Sequence, residues 1–198
     1  MNTLLITGGT GNLGASVVAR LARDYRCVVL YHGERRLAAN VDAIRADLAN
    51  ESEVKRAFDQ IGELYGLVHL VGGFAAGGVD SDSSVWSQMV SLNLTAGVTA
   101  IRAALPHLID GGRIVAISSY VSMVKKSGLA PYIVSKSAMN ALIEVLAIEL
   151  KHRRITANAI LPDNLGDLSM RERVAETIAW LLSDAAANVT GALIPMLA

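Results

Sequence analysis

Apolar residues recur along this chain in two alternating rhythms. Short apolar or β-branched runs fall at residues 4–7, 27–31, 43–46, 66–71, 113–118, 156–161 and 192–195. Longer stretches with helical spacing lie between most of them, at 13–23, 51–61, 84–108, 132–151 and 171–183. Runs such as CVVLY and RIVAIS lack polar alternation, so both faces of those strands must be covered, as in a parallel sheet between two helix layers. Repeated strand–helix–strand units with right-handed crossovers predict an α/β, doubly wound, three-layer domain. The segment 33–41 is too short to predict a full helix. No repeat, low-complexity tract or linker divides the chain, so residues 1–198 are expected to form a single domain.

Composition narrows the class. Of 198 residues 52% are apolar and 18% charged, enough to bury a large core. Eighteen Lys and Arg balance eighteen Asp and Glu, so no electrostatic footprint marks a nucleic-acid or anionic-membrane partner. Cys27 lies in an apolar run and reads as a buried structural thiol. No basic-then-apolar leader precedes Leu4, and no apolar run reaches the ~18 residues of a membrane span, so a soluble cytoplasmic protein is expected. The helical stretches 84–108 and 132–151 are long, and AMNALIEVLAIEL is apolar on more than one face. A sheet buries only one face of a helix, so these helices are expected to pair with their copies across a two-fold axis. Trp86 and Met89 fit that interface or the core equally well.

The first strand runs into Thr7-Gly8-Gly9-Thr10-Gly11-Asn12-Leu13-Gly14 and then a helical pattern. Gly9, Gly11 and Gly14 fit G-x-G-x-x-G, in which glycine permits a tight turn, close approach of backbone to a pyrophosphate, and close helix–strand packing. The helix N-terminus would offer free N–H groups to the phosphates. The second strand ends at Tyr31-His32-Gly33-Glu34-Arg35-Arg36. Its tip carries no acid for a ribose 2′-hydroxyl, whereas His32, Arg35 and Arg36 suit a 2′-phosphate; Glu34 opposes them. NADP(H) is therefore favoured, with NAD(H) as the alternative. Asp47-Leu48 follow the third strand, placed to cap a helix or meet the adenine edge.

Tyr132 and Lys136 stand four apart, on one helical face. A free phenol titrates near ~10, and an adjacent ammonium with a positive nicotinamide would lower that value. Ser119 ends the strand GRIVAISS at the edge where open α/β sheets place ligands. Asn93 interrupts the helical stretch SLNLTAGV, where an amide without a polar partner is a poor helix former.

Taken in order, the glycine loop, Asp47, Asn93-Leu94, Ile117-Ser118-Ser119, Tyr132 with Lys136, and Asn158-Ala159-Ile160-Leu161-Pro162 resemble the short-chain dehydrogenase/reductase family from Leu4 to about Ile194. The resemblance implies a seven-stranded Rossmann sheet in the order 3-2-1-4-5-6-7 and reversible hydride transfer between nicotinamide and a small carbonyl or alcohol. It also implies roles. Tyr132 would be the acid–base group, Ser119 would stabilise the substrate oxygen, and Lys136 would bind the nicotinamide ribose and lower the tyrosine pKa. Asn93 would hold a water linking Lys136 to solvent. The cofactor would lie against Gly8, Gly9, Thr10, Gly11, Asn12, Leu13, Gly14, Asp47, Leu48, Val71, Gly72, Gly73 and Pro162. A homodimer or homotetramer through helices 84–108 and 132–151 also matches the family, and no metal, nucleic-acid or membrane partner is expected.

The chain departs from the family in two places. His69-Leu70-Val71-Gly72 stands where Asn-Asn-Ala-Gly is usual, so His69 replaces a structural amide and reads as satisfied within the sheet. Gly72-Gly73-Phe74-Ala75-Ala76-Gly77-Gly78 is similar to the dihydropteridine-reductase branch, as are the Leu-Pro after the sixth strand and Gly-x-x-Ile-Pro near the C-terminus. After Pro162 the family has a long substrate loop, but here only 163–170 remain; Asp163 replaces a glycine, and Asp167 sits where a threonine often touches the nicotinamide amide. Three readings of that short loop stand open: an open pocket for a bulky or planar substrate, completion by a neighbouring subunit, or cofactor binding with poor turnover. The last makes the chain a catalytically weak NAD(P)-binding sensor or scaffold.

Overall fold

The structure, a computed structural model, describes residues 1–34, 37 and 41–197. Seven strands, β1 (Thr3–Thr7), β2 (Arg26–Tyr31), β3 (Asp42–Arg45), β4 (Leu64–His69), β5 (Leu108–Ile117), β6 (Thr156–Pro162) and β7 (Leu193–Met196), form one sheet. Their order is β3-β2-β1-β4-β5-β6-β7, as expected. All six pairings are parallel, so every strand ends at the same edge.

Helices cover both faces. On one side Leu4 and Ile6 of β1 pack with α1 (Asn12–Leu21) and α7 (Leu168–Leu182); on the other, Leu5 packs with α2 (Glu51–Asp59), and farther along that face lie α4 (Ala96–Ala104) and α6 (Ala130–Glu149). Adjacent residues of one strand thus enter opposite cores, which is why the strand sequences read as unbroken apolar runs.

Local chemistry sets the helix ends. Asn50 caps α2 by accepting from the N–H groups of Ser52 and Glu53, while the Glu53 carboxylate accepts from Asp47 N and Asn50 Nδ2. The expected cap at Asp47 is therefore Asn50's. Asp167 caps α7, accepting from Ser169 N at 3.2 Å. The hydrogen bonds from Ser169 hold its carboxyl below the usual range. Pro131 opens α6, where its missing N–H is harmless.

The stretch 84–108 is not one helix. It divides into α3 (Ser83–Val90), a π-helical turn at Ser91–Thr95, and α4, and Leu108 already belongs to β5. Ala96 N donates to Ser91 O, an i→i+5 bond that inserts one residue and shifts the helical phase at Asn93. Leu108 pairs with Leu64 of β4 and is buried, so strand pairing takes it from the helix. A short helix that the apolar pattern did not predict, α5 (Val121–Val124), follows β5.

Candidate active site

The glycine loop joins β1 to α1 at the sheet's C-terminal edge. Gly8 adopts φ +72°, and a Cβ there would lie 2.9 Å from Val71 N. A Cβ on Gly9 would strike Val29, and one on Gly14 would lie 2.5 Å from three backbone atoms of Gly8 and Gly9. Gly11 differs: its Cβ would meet only Gly8 O, at 3.6 Å. Packing therefore demands glycine at 8, 9 and 14, whereas Gly11 faces open space. Gly11 is also the α1 N-cap and, having no side chain, takes up none of the helix's first N–H groups.

Beside this loop a cleft of about 470 Å³ runs outward over the sheet edge. Gly8, Thr10, His32, Asp47, Leu48 and Val71 line it, all singled out from the sequence. Tyr31, Ser91 and Thr95 line it too and were missed; the available signal was the polar i, i+4 pair Ser91 and Thr95 on an otherwise apolar stretch. His32 Nε2 stands 3.7 Å from Asp47 Oδ2. Arg35 and Arg36 lie outside the described residues.

Ser119 follows β5 and Pro162 ends β6, the neighbouring strand, so both reach the same edge. Tyr120 N donates to Pro162 O at 3.0 Å, tying the two strand ends together. Tyr132 lies in the first turn of α6, close enough to Ser119 for the serine hydroxyl to act on the phenol. Burial raises the phenol's pKa and the Ser119 hydroxyl partly opposes it, so the net direction is opposite to that expected from a neighbouring ammonium.

Lys136 lies one turn further along α6 and is 5% exposed. Its Nζ donates to Ile117 O at 3.0 Å, and burial lowers its pKa to about 8. Asn93 joins it beneath Gly72, where a Cβ would come within 2.9 Å of both Lys136 Nζ and Asn93 Oδ1. Asn93 Oδ1 accepts from Gly73 N at 2.9 Å, and Nδ2 donates to Gly73 O and Ser135 Oγ. The amide thus clamps the Gly72-Gly73 backbone, and this network explains why a polar residue interrupts the helix.

His69 is buried; its Nδ1 shares a 2.8 Å hydrogen bond with Thr7 Oγ1, but Nε2 is buried without a hydrogen-bond partner, so the in-sheet satisfaction expected of it is only half met. Burial, then Lys136, lower its pKa to about 3. Between β6 and α7 only residues 163–167 remain, and Arg171 holds the carbonyls of Leu165 and Gly166. Met89 is buried in the core rather than free for an interface.

Ser119 and Tyr132 thus reach the same sheet edge as the glycine loop, with the buried Lys136 amine one turn further along α6. Known proteins resemble this chain in sequence and fold. The short chain dehydrogenase family model matches residues 2–178. The 2,5-dichloro-2,5-cyclohexadiene-1,4-diol dehydrogenase LinX of Sphingobium indicum is 30% identical over 81% of this chain and 72% of its own. The 3-oxoacyl-[acyl-carrier-protein] reductase FabG of Staphylococcus aureus is 28% identical over 94% and 93%. The crystal structure of BdcA in complex with NADPH superposes with a TM-score of 0.87 at 27% identity, covering 99% of this chain and 93% of that one. On the match over residues 2–178 and the shared fold, this chain belongs to the short-chain dehydrogenase/reductase family.

Proposed function

We propose that the chain is an NADP(H)-dependent oxidoreductase that interconverts a carbonyl and an alcohol on a small molecule. The docking of α6 on the end of β5 carries this reading: Lys136 Nζ bonds Ile117 O and Ser118 Oγ bonds Lys136 O, which brings the Ser119 hydroxyl and the Tyr132 phenol to one edge. The loop fits a dinucleotide: α1 has no side-chain cap, Gly11 leaves open space, and the cleft leads from the loop to His32 and Asp47. Bound there, the cofactor supplies or accepts the hydride. BdcA, similar over nearly the whole chain, binds NADPH, which with His32, Arg35 and Arg36 supports the phosphorylated form.

The residues then divide the remaining work. Ser119 donates to the substrate oxygen and stabilises the charge that develops on it. Tyr132, kept protonated by burial, gives its proton to that oxygen in the reducing direction and takes it back in the other. Lys136, buried below Gly72, offers an ammonium to ribose hydroxyls. Asn93 holds the Gly72-Gly73 backbone that roofs Lys136. Tyr132→Phe is expected to lower NADPH-dependent reduction of carbonyls by about 10²- to 10⁴-fold while retaining NADPH binding. Equal rates for the two proteins would overturn the assignment. The sensor reading draws on the short 163–167 loop, and its signature is tight NADPH binding with no turnover of any carbonyl.

The chain is also proposed to self-associate through α6. Val134, Ala138, Ala141, Val145 and Ile148 repeat at alternating four- and three-residue steps, and Val134, Val145 and Ile148 are 50, 48 and 77% exposed. A two-fold copy of this stripe would bury them.

A further inference from the structure

One large apolar side chain lies exposed against the catalytic phenol. Phe74 is 66% exposed, yet its ring sits edge-on to Tyr132, with centroids 5.0 Å apart and planes at 73°. Leaving a phenylalanine this open forgoes most of its burial energy, so its position calls for a reason.

The backbone holds it there. On one side, Asn93 bonds both the N–H and the carbonyl of Gly73. On the other, Gly77 N donates to Gly128 O at 2.7 Å, and Ala130 N donates to Gly77 O at 2.8 Å. The second anchor ties the strap to the entry of α6, two residues before Tyr132. Phe74 therefore stands on a segment fixed at both ends, an arrangement that sets a ring in place before any ligand arrives. Met123 and Val124 on α5, just beyond Ser119, add two half-exposed apolar side chains. The connection from β6 to α7 is only residues 163–167.

We infer that Phe74 is the specificity-determining wall of the substrate site, and that the substrate bears its carbonyl on a planar apolar ring, as in aryl ketones and quinones. This rests on the Ser119–Tyr132 reading, because only a carbonyl at that pair would bring its ring against Phe74. A flat ring gains an aromatic contact from one wall alone, whereas a short aliphatic carbonyl has no ring to make that contact. Charge does not supply the selection, since the ring contact is apolar.

The test uses ligand-observed NMR titration of the chain with saturating NADP+, which reads binding without turnover. The probes are 1-acetonaphthone and 2,3-butanedione. The native chain is expected to prefer the naphthyl ketone, and Phe74→Ala to reduce that preference roughly three- to tenfold. Phe74→Tyr, which keeps the ring, should restore it. An unchanged preference in Phe74→Ala, or no naphthyl binding by the native chain, would overturn the inference. The two readings fail separately. Phe74-dependent binding without NADPH-driven reduction of either ketone leaves the wall standing and removes the hydride chemistry; reduction with a preference indifferent to Phe74 does the reverse.

Discussion

Gly14→Ala and Gly11→Ala separate what glycine does for folding from what it does for the ligand. A Cβ on Gly14 would lie 2.5 Å from Gly8 O, Gly9 C and Gly9 O, all main-chain atoms that no rotamer change can move aside. Forcing a methyl group into such packing costs about 3 kcal/mol at the upper end of the usual range, and the better helix propensity of alanine returns about 1. A net loss of about 2 kcal/mol in a chain of 198 residues lowers the melting temperature by about 4–8 °C. Gly11 has φ −81° and ψ 176°, which alanine adopts freely, and its Cβ meets nothing nearer than 3.6 Å. The lost freedom of glycine in the unfolded chain and the weaker N-cap nearly cancel, so Gly11→Ala should melt within about 2 °C of the native chain. Its added methyl instead occupies the space offered to the phosphates. Losing one charge-assisted backbone bond there weakens NADPH by roughly tenfold or more. Calorimetric melting without cofactor, followed by NADPH fluorescence titration, reads both effects. Gly14→Ala melting at or above the native temperature would refute the packing argument, and native affinity in Gly11→Ala would place the phosphates elsewhere.

Three other outcomes are expected. Burial pushes His69 down to about 3 in the fold from an ordinary value of 6.5, so the unfolded chain binds the extra proton first and stability falls as pH drops through that window; His69→Asn should flatten the acid limb of a urea-denaturation series by roughly 5 kcal/mol. Lys136 titrates at about 8 against 10.5, so its charged form is disfavoured in the fold; the native chain should gain on the order of 3 kcal/mol relative to Lys136→Met between pH 8 and 10.5, and parallel curves would show that the amine is solvated. Ile148→Glu places a charge in the exposed α6 stripe and should convert the assembly to monomer by light scattering at micromolar concentration; a native chain that is already monomeric contradicts the proposed interface.

The stretch 84–108 shows best where sequence reasoning stopped. Its period announces a helix, and a helix is there for most of its length. Nothing in the period announces the π turn, because that turn depends on Asn93 bonding Gly73, twenty residues away. The same holds for Tyr132. Its spacing to Lys136 was legible, but the direction of its pKa depends on burial by distant elements and on where the amine bonds, and Lys136 Nζ bonds Ile117 O. Asp47 looked like a helix cap because the residue type is right, yet Asn50, also suited, stands three residues nearer the helix.

Alternating apolar runs, the glycine loop and the Ser119, Tyr132 and Lys136 spacing were determined by sequence alone, and with them the sheet order through family resemblance. Each is a property of a contiguous segment, where steric limits and periodicity act over a few residues. Only the tertiary structure decided that Gly14 rather than Gly11 is the packing position, that Asn93 clamps Gly73, and that Phe74 stands open against Tyr132. Those facts come from contacts between segments far apart in the chain, which are fixed when the two cores close and which no local pattern encodes.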